Sequence, residues 1–166
     1  MKKNKKFIIA LLSLPCAFIF TFCSAKTFSD SLACNELSST LQKEISVPYG
    51  EFGEYSSADL NLFFPDSELF DDFYVIYSKD NTDVSELGIL HASNDENAKK
   101  LLEDAQLYIK DNQEQKREFL RNYSPSELEK LNSAEARRFG NYVIFTVADQ
   151  DDKSKIFQKA EELLKK

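Results

Sequence analysis

Histidine, cysteine, glycine and proline are all scarce in this 166-residue chain, and each scarcity excludes something. His91 is the only histidine. A single imidazole leaves little room for hydrolytic triads, two-histidine metal centres or His–Cys pairs within one chain. His91 shares strand parity with Leu87 and Ile89, which predicts a sheet-packed or edge histidine rather than a general base. Glycine and proline number four each, so long irregular stretches should be few. No glycine-rich phosphate loop and no Gly-x-Ser-x-Gly elbow is present. Internal repeats and low-complexity tracts are also missing. The acids at Asp80/Asp83 and Asp149/Asp151/Asp152 lack the spacing and the glycine of a calcium loop, so they are read as solvated turns and helix caps. No cofactor and no metal is expected.

What the chain does have begins at its N-terminus. Lys2, Lys3, Lys5 and Lys6 form a basic patch, followed by an apolar run from Phe7 to Phe22 that Pro15 interrupts. Cys23-Ser-Ala25 then offers small side chains at the positions a signal peptidase reads. The run is shorter than the ~20 residues of a membrane span. Residues 1–25 are therefore expected to be a signal peptide, with export to the cell surface or beyond. A second route is lipidation of Cys23, which would anchor the chain to the outer face of the cytoplasmic membrane through two acyl chains. Phe22 departs from the small residue that lipidation normally takes at that position.

Cleavage after Ala25 leaves 141 residues, enough for one domain that buries about 68% of its unfolded surface. Residues 26–32 read as a short polar leader and 33–166 as a single domain. Four of the 21 basic residues and none of the 28 acids fall in the signal, so the remainder carries 17 basic against 28 acidic groups, a net charge of −11. Such a chain is repelled by phosphate backbones and anionic lipid heads. Nucleic acid is excluded as a partner, and a membrane enters only through a lipid on Cys23. Cys16 and Cys23 lie in the signal, and Cys34 alone remains, so no internal disulfide is expected. Cys34 shares a helical face with Leu37, Leu41 and Ile45, which predicts burial rather than pairing with a second chain.

The periodicities predict an α+β domain, in the order α-ββ-α-ββ-α. A first helix covers 33–46. Ser57 opens a short helical turn that Pro65 ends. Strands at 73–77 and 87–91 flank a polar turn. A long helix covers 95–121, with Ser93 and Glu96 at capping-box spacing and an apolar stripe at Ala98, Leu101, Leu102, Ala105, Tyr108 and Ile109. Ser124-Pro-Ser-Glu127 starts a short helix. Strands at 134–139 and 142–148 flank the turn Gly140-Asn141. The second of these is apolar on both faces, which makes it central. Arg137 and Arg138 on the first mark an edge. A last helix, capped by Asp152 or Ser154, carries Ile156, Phe157, Ala160, Leu163 and Leu164. The expected architecture is a four-stranded, mainly antiparallel sheet with helices packed on one face.

Residues 48–72 mix aromatics with acids. Tyr49, Phe52 and Tyr55 are the candidate binding residues, because exposed aromatics rimmed by acids grip peptides or sugar faces. The competing expectation is that Phe63, Phe64, Phe70 and Phe73 complete the core. No set of catalytic residues is recognisable.

Residues 123–127 (Tyr-Ser-Pro-Ser-Glu), 131–134 (Leu-Asn-Ser-Ala) and 139–143 (Phe-Gly-Asn-Tyr-Val), with the strand that follows, resemble a known family. It is one of the domain-of-unknown-function families, number 4358, of small exported proteins and lipoproteins from clostridia and related Firmicutes. The likeness spans about residues 55–150. Tyr123 and Pro125 would seat the end of the long helix, and Gly140 would permit the turn. The resemblance implies no activity, cofactor or catalytic residue. The expected function is a non-catalytic binding or interaction module of the cell envelope, acting on an unknown protein or cell-surface ligand. The alternatives are a carboxylate-dependent envelope hydrolase acting on carbohydrate or peptide, and an accessory subunit of an envelope assembly.

Overall fold

The strand Tyr142–Val147 is buried at every position. Both of its faces are apolar, so both need cover, and that requirement organises the fold. The computed structural model describes residues 27–44 and 52–166. In chain order the elements are α1 (Cys34–Leu41), a 3-10 turn (Gln42–Glu44), β1 (Phe52–Glu54), α2 (Ser57–Phe63), a second 3-10 turn (Ser67–Leu69), β2 (Phe70–Ser78) and β3 (Glu86–Ala92). Then follow α3 (Asp95–Tyr123), α4 (Pro125–Asn132), β4 (Glu135–Phe139), β5 (Tyr142–Val147) and α5 (Gln150–Leu164). The strands form one antiparallel sheet in the order β1-β2-β3-β5-β4.

The α+β class is as expected, but two features of the architecture are corrected. The sheet has five strands, not four, because Phe52–Glu54 pairs with the far edge of β2. The helices cover both faces, not one. Alternate residues of the central strands point in opposite directions. Ile76, Leu87, Ile89, Tyr142 and Ile144 pack against α1 and α5. Val75, Leu90, Val143 and Phe145 pack against α2 and α3. A smaller cluster of Leu120, Leu131 and Val147 seats α4. Cys34 is fully buried, and burial, reinforced by the Asp72 carboxylate, pushes its thiol pKa up.

Local chemistry sets the ends of the elements. Ser56, one residue before the expected cap, starts α2 with a reciprocal capping box to Asp59. Asn94, not Ser93, caps α3 by accepting from the Asn97 amide at 2.9 Å. Ser93 still belongs to the strand exit, where its amide donates to the Leu69 carbonyl. α5 starts after Asp149, so Asp152 lies inside the first turn, and the Ser154 hydroxyl donates back to the Gln150 carbonyl. Among the described residues Gly140 alone takes a positive φ, at 64°, as the first central residue of the β4–β5 turn. β4 is an edge strand. Its Arg137 lies 4.3 Å over the Phe157 ring and its Arg138 reaches Asp95.

Residues 27–32, the described part of the leader expected over 26–32, are tied to the end of α5 and to the β4–β5 hairpin. The Ser29 amide donates to the Leu164 carbonyl, the Lys166 amide donates to the Thr27 carbonyl, and Phe28 stands edge-on to Phe139. The Tyr142 hydroxyl donates to the Leu32 carbonyl at 2.6 Å.

Candidate functional site

A groove of about 550 Å³ lies between α2 and α3. That volume lies in the range of small-ligand and side-chain pockets. One wall is α3, from Lys100 through Glu103, Asp104, Leu107 and Asp111 to Gln115. These residues recur at three- and four-residue steps, so they form one stripe about 22 Å long. The other wall is the end of α2 and the loop after it, where Pro65 stops the helix.

The groove has an apolar lining left open to solvent. Leu62 is 78% exposed, Leu107 54% and Phe63 43%. Its floor is rigid. The Tyr108 ring packs against Phe63, Phe64 and Phe145, with centroids 5.2, 5.5 and 5.4 Å away. Its hydroxyl donates to the buried carboxylate of Glu86 at 2.7 Å. Burial pushes the Glu86 pKa up to about 7, against the opposing pull of the Tyr108 hydrogen bond. The Tyr55 hydroxyl lies 3.3 Å from that of Tyr108, and burial followed by the Glu86 charge pushes Tyr55 up to about 12.

The rim is acidic. Asp66, Glu103, Asp104 and Asp111 line the groove, and none forms an ion pair with a described residue. Lys100, the one cation of the lining, is drawn to Glu96 at 3.4 Å. Asp104 is held above the usual carboxylate range, first by burial and then by the charges of Asp66 and Glu103.

The candidate aromatics of the sequence reading separate. Tyr49 lies outside the described residues, as do Cys23 and the whole signal segment. Phe52 packs on the α1/α5 side of the sheet, away from the groove. Tyr55 sits behind the groove, half-buried, stacked on Phe63 at 5.6 Å and tilted against Tyr77 at 4.9 Å. Phe64, Phe70 and Phe73 join the α2/α3 core, while Phe63 faces outward. The one signal in the sequence for the α3 wall is Leu107, an apolar residue off the apolar stripe of its helix.

A second polar cluster lies on the opposite face. His91 is sheet-packed on the Tyr142 ring, 4.7 Å between centroids. Its Nδ1 is 2.5 Å from Asp71 Oδ1 and its Nε2 is 2.7 Å from Asp30 Oδ1. Partial burial disfavours the imidazolium, but the two carboxylates outweigh it and raise the pKa. This cluster fastens residues 27–32 to the sheet. Among the described residues, no group of three or more His, Cys, Asp or Glu side chains is placed to hold a metal ion. No described helix is long and apolar enough to cross a membrane.

A family model described as a domain of unknown function (DUF4358) matches residues 57–148, more than half of the chain. The match contains both walls of the groove and the Glu86–Tyr108 pair beneath it. No curated protein and no solved structure matches the chain.

Proposed function

We propose that this chain, which belongs to the DUF4358 family, is a non-catalytic binding module of the cell envelope that holds its partner in the α2/α3 groove. One observation carries the reading. Leu62, Phe63 and Leu107 are exposed together in a concavity with a braced floor, where isolated surface apolar residues would need no explanation. Export rests on the basic and apolar residues 1–25, and a lipid on Cys23 would hold the module at the membrane surface.

A photo-crosslinking side chain at position 107 tests the groove, with the same group at Lys159 on α5 as control. In native envelope the first should give a discrete adduct that Leu62→Ser weakens. Equal labelling from both positions would remove the groove from consideration. A second reading, a carboxylate hydrolase of envelope carbohydrate or peptide, draws on Asp104, whose raised pKa suits proton donation in an open groove. Turnover of envelope polymers that Asp104→Asn abolishes would favour it.

A further inference from the structure

The groove as described has no stated ligand, and its charge supplies one. We propose that it takes a cationic amphipathic peptide segment, with an apolar side chain seated on Phe63 and Leu107 and lysine or arginine side chains reaching Asp66, Glu103, Asp104 and Asp111. This rests on the groove being the binding site.

Elsewhere on α3 and α4 several acids have cations beside them. Asp95 meets Lys99 and Arg138, Glu118 meets Arg121, and Glu127 meets Lys130. The four groove acids meet none among the described residues. Asp104 is held above the usual carboxylate range first by burial, and the charges of Asp66 and Glu103 push in the same direction. A bound cation relieves the charge repulsion, and low-dielectric apolar walls strengthen the attraction. A neutral apolar segment would instead desolvate the carboxylates without compensation.

Other occupants fit less well. A second copy of the chain brings a net charge of −7 to an acidic rim. An anionic lipid surface is repelled for the same reason. A hydrated metal ion gains nothing from Leu62, Phe63 and Leu107, and the acids are not grouped as ligands. A peptide uses both features. The α3 wall offers carboxylates at 103, 104 and 111 on either side of Leu107, a spacing that cations flanking an apolar residue can match.

Fluorescence anisotropy with three short synthetic peptides tests this on the purified chain. One alternates Leu and Lys in an amphipathic pattern, and the others replace every Lys by Gln or by Glu. The Lys peptide should bind at least tenfold more tightly than the Gln peptide at about 0.05 M salt, and the advantage should shrink at about 0.5 M. The Glu peptide should not bind. The double reversal Glu103→Lys/Asp104→Lys should invert the preference, and Leu107→Ser should weaken the Lys peptide severalfold. A urea melt of each variant guards against misfolding, and Asp66→Asn replaces any variant that fails it.

Equal binding of the three peptides, all weakened by Leu107→Ser, would overturn the cationic preference and leave the groove standing. Binding of the Lys peptide that ignores Leu107→Ser and Glu103→Lys/Asp104→Lys alike would place it elsewhere and overturn both. Absence of binding by any peptide would overturn the peptide class, while crosslinking from position 107 would decide the groove separately.

Discussion

A methyl group at Gly88 would sit 2.1 Å from two carbons of the Phe145 ring. That ring fills the space a side chain on β3 would take, and it stacks in turn on Phe64 and meets the Tyr108 ring edge-on. Gly88→Ala therefore pushes the floor of the groove outward. Overpacking of this kind costs about 1–3 kcal/mol, and urea melts should show it. If the ring moved without cost, the floor would be softer than its contacts imply. Gly140 answers to a different constraint. Its φ of 64° suits a residue without a Cβ, and an added Cβ would also meet the Cβ of Phe28 at 2.8 Å. Gly140→Val should destabilise by about 1–3 kcal/mol. Because Phe28 lies in residues 27–32, the same substitution should raise proteolytic sensitivity of that segment. A melt changed by less than a few tenths of a kcal/mol would contradict the strain at this turn.

At the scale of elements, α4 is held by charge as well as by Leu131. The Lys130 ammonium lies 3.0 Å from Asp83, 3.0 Å from Glu127 and 3.1 Å from the Ser85 hydroxyl, and its side chain is largely buried. Glu127 also accepts from the Val84 amide. Partial burial works against the ammonium, but the two carboxylates raise its pKa. Lys130→Met would leave two carboxylates facing each other with no cation. The expected cost is about 2–4 kcal/mol, somewhat below a fully buried pair. Adding Asp83→Asn should recover part of it, and additive costs would show that the pair is not coupled. The elements themselves were largely legible. α3 shows a stripe of six apolar residues in 3.6-residue rhythm, and the hairpin around Gly140 shows the glycine its turn needs. β1 was not legible, because three residues containing Gly53 give no alternation to read. The placement of helices on both faces was half legible. β5 reads as apolar on both sides, but on β3 the α3-facing position 88 is a glycine whose space Phe145 fills. The groove was the least legible part. Its walls are about 40 residues apart in the chain, and the acids of α3 look like any solvated face until α2 packs beside them.

At the scale of the whole molecule, buried titrating groups give stability a direction with pH. Glu86 ionises at 4.5 in the unfolded chain and at about 7 in the fold, because burial disfavours its charge. Its folded-state pKa is the higher one, so its contribution is complete below pH 4.5 and is lost as pH rises to about 7. The shift corresponds to about 3 kcal/mol. The Tyr108 hydrogen bond at 2.7 Å, then the Lys116 charge and then Tyr55, offset part of the burial. His91 acts in the same direction. Its pKa is raised by Asp71 and Asp30, so the clamp on residues 27–32 is complete below 6.5 and loosens as pH rises through the folded value. Asp83 acts in the opposite direction. Although partly buried, it is lowered to about 2 by Ser85 and Lys130, so its contribution holds above 3.8 and is lost as pH falls through about 2. The three together place maximal stability on the acidic side of neutrality, above the carboxylate limb and below the Glu86 and His91 limbs. Urea melts from about pH 3 to pH 9 should trace that dome. Glu86→Gln isolates the largest contribution. Its amide oxygen can still accept from Tyr108, but it cannot ionise. Between about pH 4 and pH 8 the stability difference should move by about 3 kcal/mol in favour of the variant. Parallel profiles for the two proteins would mean that Glu86 is charged in the fold at neutral pH, with a cation or water reaching it beneath the groove.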